Sequence, residues 1–240
     1  MAATELVFRD DAYARTCSAR IVSSEPGAIR LSCTVFYPAG GGQPGDRGTI
    51  RLISGQRFEI VDTIKGATED DIVHVPAEGA QLPPAGVDAL AEIDWVRRHR
   101  HMRIHTCLHL LTAVVAAPVT GGQIAEDKGR LDFDLQELEL VLNKEEIEAK
   151  LNGLIAGGAK ASARWISDDE LAARPELVKT MKVKPPSGQG RVRLMEIEGL
   201  DLQPCGGTHV ANVGEIGPVK VLKIENKGKH NRRVIIGFAA

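Results

Sequence analysis

The stretch "DWVRRHRHMRIHTCLHLLTAVVAAP", Asp94 to Pro118, is where the chain changes character. Asp94 is a good N-cap residue ahead of a long run free of Gly and Pro. A helix is therefore expected from about Trp95 to Pro118. Upstream, from Thr4 to about Pro76, helical periodicity is weak. "GAIRLSCTVFY", "RGTIRLI" and "QRFEIVDTI" alternate roughly in β-branched and aromatic residues, and Gly, Pro and Asp divide them. That is the pattern of short antiparallel strands. A small β-barrel-like domain is expected over residues 1–88, ending in the Pro- and small-residue-rich linker "AEGAQLPPAGVD", Ala77 to Asp88.

"ALAEIDW" reads as a further strand before the long helix. After that helix, "KEEIEAKLNGLI" follows Asn143 as a second one, with Glu146 placed as a capping-box partner. Strands are expected at "ASARWIS", "RVRLMEIEG", "GPVKVLKIEN" and "RRVIIGF", the last two forming a hairpin. Residues 89–240 are thus expected to form an α+β domain with helices packed on an antiparallel sheet, and the fold class is α+β.

With a formal charge of -2, any nucleic-acid partner must be met by a local basic surface. Aromatic residues at 4% argue against a platform that stacks single-stranded bases. The four cysteines, Cys17, Cys33, Cys107 and Cys205, are widely spread, and "MAATELVFRD" lacks the basic start and apolar run of a secretory signal. No apolar run approaches the ~18 residues needed to span a bilayer. A cytoplasmic protein with reduced thiols and no membrane partner is expected.

Within the long helix His105 and His109 stand at i and i+4, so both imidazoles project from one face. Nearly a hundred positions on, "QPCGGTHVAN" offers Cys205 and His209 at the same spacing. Together the two pairs supply a His3Cys set, which suits Zn2+. Cys107 lies two residues from His105, a turn of about 200°, and is expected in the core. His99 and His101, among Arg97, Arg98, Arg100 and Arg103, are expected on a solvated basic face. His74 and His230 carry no signal.

"FYPAGGGQPGDRG", Phe36 to Gly48, is the other unusual stretch. Three glycines leave the backbone free to approach a substrate, with the Gln43 amide expected at the tip. "FYPAGGGQPGDRG", "HTCLHLL", "GRLDFDL" and "CGGTHV", in that order, resemble the alanyl-tRNA editing family. That family includes the editing domain of alanyl-tRNA synthetase and the free-standing AlaX proteins. The resemblance implies a zinc-containing hydrolase acting in trans on tRNA(Ala) mischarged with Ser or Gly. It places the zinc ligands on His105, His109, Cys205 and His209, and the glycine-rich motif on Gly40, Gly41, Gly42 and Gln43. Synthetase-borne versions tend to carry threonine where this chain has Leu108, so another group must read the serine hydroxyl. Thr106, Gln123 and Asp132 are the candidates.

On this reading Gln43, Thr106 and the backbone N–H groups of Gly206 and Gly207 are catalytic candidates, the two N–H groups serving an oxyanion. Gly41, Gly42, Gln123 and Asp132 are substrate-binding candidates. Arg97, Arg98 and Lys227 stand in two basic clusters expected to meet tRNA phosphates. The alternatives are editing of Ser-tRNA(Thr) and a non-catalytic structural zinc module that binds tRNA. The oligomeric state is not legible, and a monomer is favoured.

Overall fold

The computed structural model describes residues 4–136, 141–180 and 190–239. They form two compact units, Met1–His99 and Arg100–Ala240.

The first unit begins with β1 (Glu5–Leu6) and α1 (Val7–Asp10). Then come β2 (Thr16–Glu25), β3 (Ala28–Leu31), β4 (Cys33–Thr34), β5 (Gly48–Leu52), β6 (Arg57–Lys65), β7 (Ile72–Pro76) and β8 (Asp88–Ile93). Six of these close a barrel in the order β2-β3-β7-β6-β5-β8. Alternation explains the closure. Ala19 and Ile21, Ile29 and Leu31, Ile50, Phe58 and Ile60, and Ala89, Ala91 and Ile93 all turn inward to one buried cluster.

Strand β8 pairs with β2 on one side and β5 on the other. The strand expected to open the second domain therefore completes the barrel. The compact units divide at His99, later than the expected break after Asp88, because the inward face of β8 fills the barrel core.

Two polar groups inside this unit are fully buried, and one of them, Arg98, was expected at the surface. His74 is fully buried. Its Nδ1 lies 3.1 Å from the Ile29 carbonyl, and its Nε2 lies 2.8 Å from the Thr34 hydroxyl. Burial outweighs the Ile29 hydrogen bond and pushes its pKa down to about 4, so the ring is neutral. Arg98 is also fully buried, at 0% exposure. Its guanidinium pairs with Asp46, Nε to Oδ2 at 2.8 Å, and donates to the carbonyls of Val35 at 2.6 Å and Ala12 at 3.1 Å.

The long helix α2 (Trp95–Val114) starts where expected and ends a turn early. Asp94 caps it, its carboxylate accepting from the Arg97 N–H at 3.1 Å. In the second unit, β9 (Val119–Ile124) and β10 (Lys128–Asp134) precede α3 (Lys144–Ala156). There follow β11 (Ala161–Ser167), α4 (Asp168–Ala172), β12 (Arg191–Ile197), β13 (Asp201–Pro204), β14 (Val219–Asn226) and β15 (Asn231–Phe238). The expected hairpin, β14 with β15, belongs to an antiparallel sheet of order β14-β15-β10-β9; β11, β12 and β13 form a second one. The fold is α+β, as expected. Asn143 accepts from the Glu146 N–H at 3.0 Å and caps α3. A full capping box is made at α4 by Ser167 and Glu170.

Helix α2 lies close on the larger sheet because β10 carries Gly129. A Cβ there would meet Ile104 Cγ2 at 2.6 Å and the Leu108 Cδ atoms at 3.1 and 3.3 Å. Leu108 is therefore a packing residue, and its contacts seat the histidine-bearing face of the helix.

Candidate metal centre

His105, His109, Cys205 and His209 each offer one ligand atom, and all four atoms lie within 4.8 Å of one another. The Cys205 Sγ is 3.5 Å from His105 Nε2 and 3.2 Å from His209 Nε2. A tetrahedral zinc with bonds of about 2.0–2.1 Å to nitrogen and about 2.3 Å to sulfur separates its nitrogen and sulfur ligands by about 3.5 Å. The donor set, its chemistry and these two sulfur–nitrogen distances fit that ion.

Each element delivers its ligands for a local reason. One turn of α2 stacks His105 over His109, with ring centroids 5.3 Å apart. Strand β13 buries Asp201 and Gln203 on one face by period-2 alternation. The chain then leaves the strand at Cys205 and turns through Gly206 and Gly207 to reach His209. Arg193 on β12 braces that turn, donating from Nη1 to the carbonyls of Cys205 at 2.9 Å and Gly207 at 3.0 Å. In a trans peptide the N–H points opposite to its carbonyl, so the Gly206 N–H faces away from Arg193. Among the described residues no protein acceptor takes the N–H of Gly206 or of Gly207. Gly206 is exposed, while Gly207 is buried.

His109 and His209 each meet a polar partner at Nδ1. His109 Nδ1 lies 2.8 Å from a buried Asp201 oxygen, which leaves Nε2 for the ion. The other Asp201 oxygen pairs with Lys179. Gln203 Nε2 donates to Asp201 at 2.8 Å and to the Thr112 hydroxyl at 3.1 Å. His209 Nδ1 lies 3.3 Å from the Thr106 hydroxyl. That hydroxyl gives its single proton to the Met102 carbonyl at 2.9 Å and accepts from the Val210 N–H at 3.2 Å. With its proton spent inside the helix, Thr106 has none to offer a substrate. It lies against His209 Nδ1.

The clustered side chains shift one another's ionisation strongly. Burial opposes ionisation of Cys205, yet the His105 and His209 rings beside it hold the thiol well below its usual value. Burial likewise opposes charge on His109, but the hydrogen bonds its ring makes to Asp201 and Cys205 push it up to about 9. His209 is pushed well down, first by burial and then by its histidine neighbours. Cys107 stands outside the cluster, fully buried as expected, and burial pushes its thiol up to about 12. His101 is buried as well, not on the solvated face expected for it, whereas His99 stacks on Trp95.

The remaining candidates are placed as follows. Gln123 is exposed and accepts from Arg130 Nε at 3.2 Å. The Asp132 carboxylate is taken by Arg233, at 2.7 and 2.8 Å, and by Arg130 at 2.8 Å. Those guanidinium bonds, led by Arg233, hold it below the usual carboxylate range against burial. Both of its oxygens are engaged by cations, which disfavours direct binding of a hydroxyl. Lys227 is exposed and shares Glu225 with Lys223. Burial removes Arg98 from the set of phosphate contacts; it is a structural residue. Arg97 is half-buried and donates to the Gly45 carbonyl at 2.6 Å.

The glycine motif is a tight turn. Gly40 and Gln43 exchange both backbone hydrogen bonds, at 3.0 and 2.9 Å, around Gly41 (φ 56°) and Gly42 (φ 84°). Two successive positive φ values demand glycine. The exposed tip is therefore Gly41–Gly42, and Gln43 is 2% exposed, not the tip residue expected. Asp201, Gln203, Lys179 and Arg193 were not singled out in the sequence. The alternation of Asp201, Gln203 and Cys205 was the available signal.

Residues 192–235 match the family model described as the threonyl and alanyl tRNA synthetase second additional domain. A Methanosarcina acetivorans protein named alanyl-tRNA editing protein AlaX-M is 35% identical over 239 residues, covering 96% of this chain and 97% of its own. The chain belongs to the AlaX family of alanyl-tRNA editing proteins. A Saccharolobus solfataricus AlaX-M is 32% identical over 96% of this chain and 97% of its own length. An alanine–tRNA ligase of Sulfurisphaera tokodaii is 32% identical over 92% of this chain but only 25% of its own length. The AlaX family resemblance thus holds along the chain, and no described helix is long and apolar enough to cross a membrane.

Proposed function

We propose that this protein is a trans-editing hydrolase. It cleaves the ester joining a wrong amino acid to tRNA(Ala), with serine the preferred substrate and glycine a second one. The convergence of three imidazoles and one cysteine sulfur within 4.8 Å of one another, in a chain of this family, carries the reading.

A zinc ion held by His105, His109, Cys205 and His209 would polarise the ester carbonyl or lower the pKa of a bound water. Of the four candidate ligands Cys205 is the least buried, His105, His109 and His209 being only 5–7% exposed, so we place the open side of the centre at Cys205 and Gly206. We assign the exchangeable position to that side, with the three histidines as firm ligands. Arg193 fixes the turn so that the Gly206 N–H is free to donate to a developing oxyanion. The Gly41–Gly42 turn presents bare backbone at the surface of its own unit, and Lys227, Lys220 and Lys229 offer charge to phosphates.

Serine exceeds alanine by one hydroxyl. A site that hydrogen-bonds this hydroxyl favours serine, because alanine leaves buried polar groups unpaired. The test is release of amino acid from tRNA(Ala) charged with Ser, Gly or Ala, with Ser-tRNA(Thr) as comparison. Serine should leave tRNA(Ala) fastest and alanine should be spared. Equal loss of all three amino acids would defeat the proposal.

A further inference from the structure

Resting on the metal reading above, we propose that Asp201 is a positioning residue that makes His109 the anchor ligand, and that Lys179 holds Asp201 in place. The two backed histidines are not backed alike. His209 Nδ1 meets a neutral hydroxyl, Thr106, at 3.3 Å. His109 Nδ1 meets a buried carboxylate at 2.8 Å. A hydrogen bond to an ionised acceptor is shorter and roughly twice as strong as one between neutral groups. It also increases electron density on the imidazole, so the opposite nitrogen becomes the better donor to a cation.

The carboxylate is itself locked. One oxygen takes the His109 Nδ1–H and a Gln203 N–H, and the other takes the Lys179 ammonium. Gln203 also reaches Thr112, whose hydroxyl donates to the His109 carbonyl at 2.8 Å. The ring and the backbone of His109 are thus tied to the same strand, β13, that leads into Cys205. Lys179 supplies the counter-charge that lets an ionised carboxylate sit buried beside the centre.

The test compares the wild type with Asp201→Asn, Asp201→Ala, Thr106→Val and Lys179→Met. Zinc affinity is read by competition with a chromogenic chelator. Cobalt substitution reports ligand geometry through its visible absorption, and circular dichroism of the zinc-free proteins reports folding. Asp201→Asn, which keeps shape but not charge, should weaken zinc binding by about 10- to 100-fold. Asp201→Ala should do at least as much, and Lys179→Met and Thr106→Val should each lose less. All should keep the wild-type fold and, once loaded, a tetrahedral cobalt spectrum.

Zinc affinity of Asp201→Asn within twofold of wild type would overturn the charge role. So would a larger loss in Thr106→Val than in Asp201→Asn. Should Asp201→Ala unfold, Asp201→Asn alone decides. A wild type that binds no zinc would instead remove the metal reading itself, and this inference with it.

Discussion

Replacing Gly129 by alanine puts the packing of α2 to the test through one methyl group. That methyl would lie 2.6 Å from Ile104 Cγ2 and 3.1 and 3.3 Å from the Leu108 Cδ atoms. Carbon atoms settle at about 3.5–4.0 Å, so the helix must retreat by about 1 Å or Ile104 must leave its rotamer. Ile104 is β-branched and stiff within a helix, which makes the retreat the cheaper response. Overpacking of this kind costs about 1–3 kcal/mol. His105 and His109 directly follow the two crowded residues, so the same shift moves two of four ligands away from Cys205 and His209. Metal sites tolerate about 0.2 Å of misplacement, and zinc affinity should fall about tenfold or more. Urea unfolding in the presence of chelator reads the first effect, and chelator competition reads the second. A variant within about 0.5 kcal/mol of wild type that also binds zinc normally would refute the packing argument.

Three further outcomes follow from the buried polar groups and the turn. His74 titrates near 4 in the fold against about 6.5 when unfolded, so its neutral form stabilises the barrel above pH 6.5. That contribution, at most about 3 kcal/mol, should drain away as pH falls from about 6.5 to 4. His74→Gln should flatten this part of the stability-versus-pH curve, and an unchanged slope would count against the assignment. Arg98→Met leaves Asp46 buried without its cation and should cost about 3–5 kcal/mol in urea unfolding. A loss of tRNA affinity with no change in midpoint would instead restore Arg98 as a phosphate contact. Gly41→Ala forces a side chain into positive φ at an exposed turn; about 1 kcal/mol of stability should be lost, measured the same way.

The cluster of candidate metal ligands was legible because helix geometry and the Cys-Gly-Gly-Thr-His turn each leave a local mark. Strands with clean alternation were legible for the same reason. β9 was not, since "VTGGQI" places two glycines where a strand pattern needs bulk. The role of "ALAEIDW" in closing the barrel depends on pairing with β2 and β5, distant segments that no local spacing announces. The fates of Arg98, Thr106 and Gln43 were hidden in the same way. An arginine in a basic run, a threonine beside a ligand and a glutamine after three glycines all look functional. Only tertiary contacts show that the first is spent on Asp46, that the second, bonded within its own helix to Met102, meets His209 and Val210, and that the third is buried.

X-ray absorption at the zinc edge of the substrate-free protein tests the centre most directly. Three nitrogen scatterers at about 2.0–2.1 Å and one sulfur at about 2.3 Å are expected, with the sulfur lost in Cys205→Ala. A zinc shell without sulfur, or one unchanged by that substitution, would contradict the account.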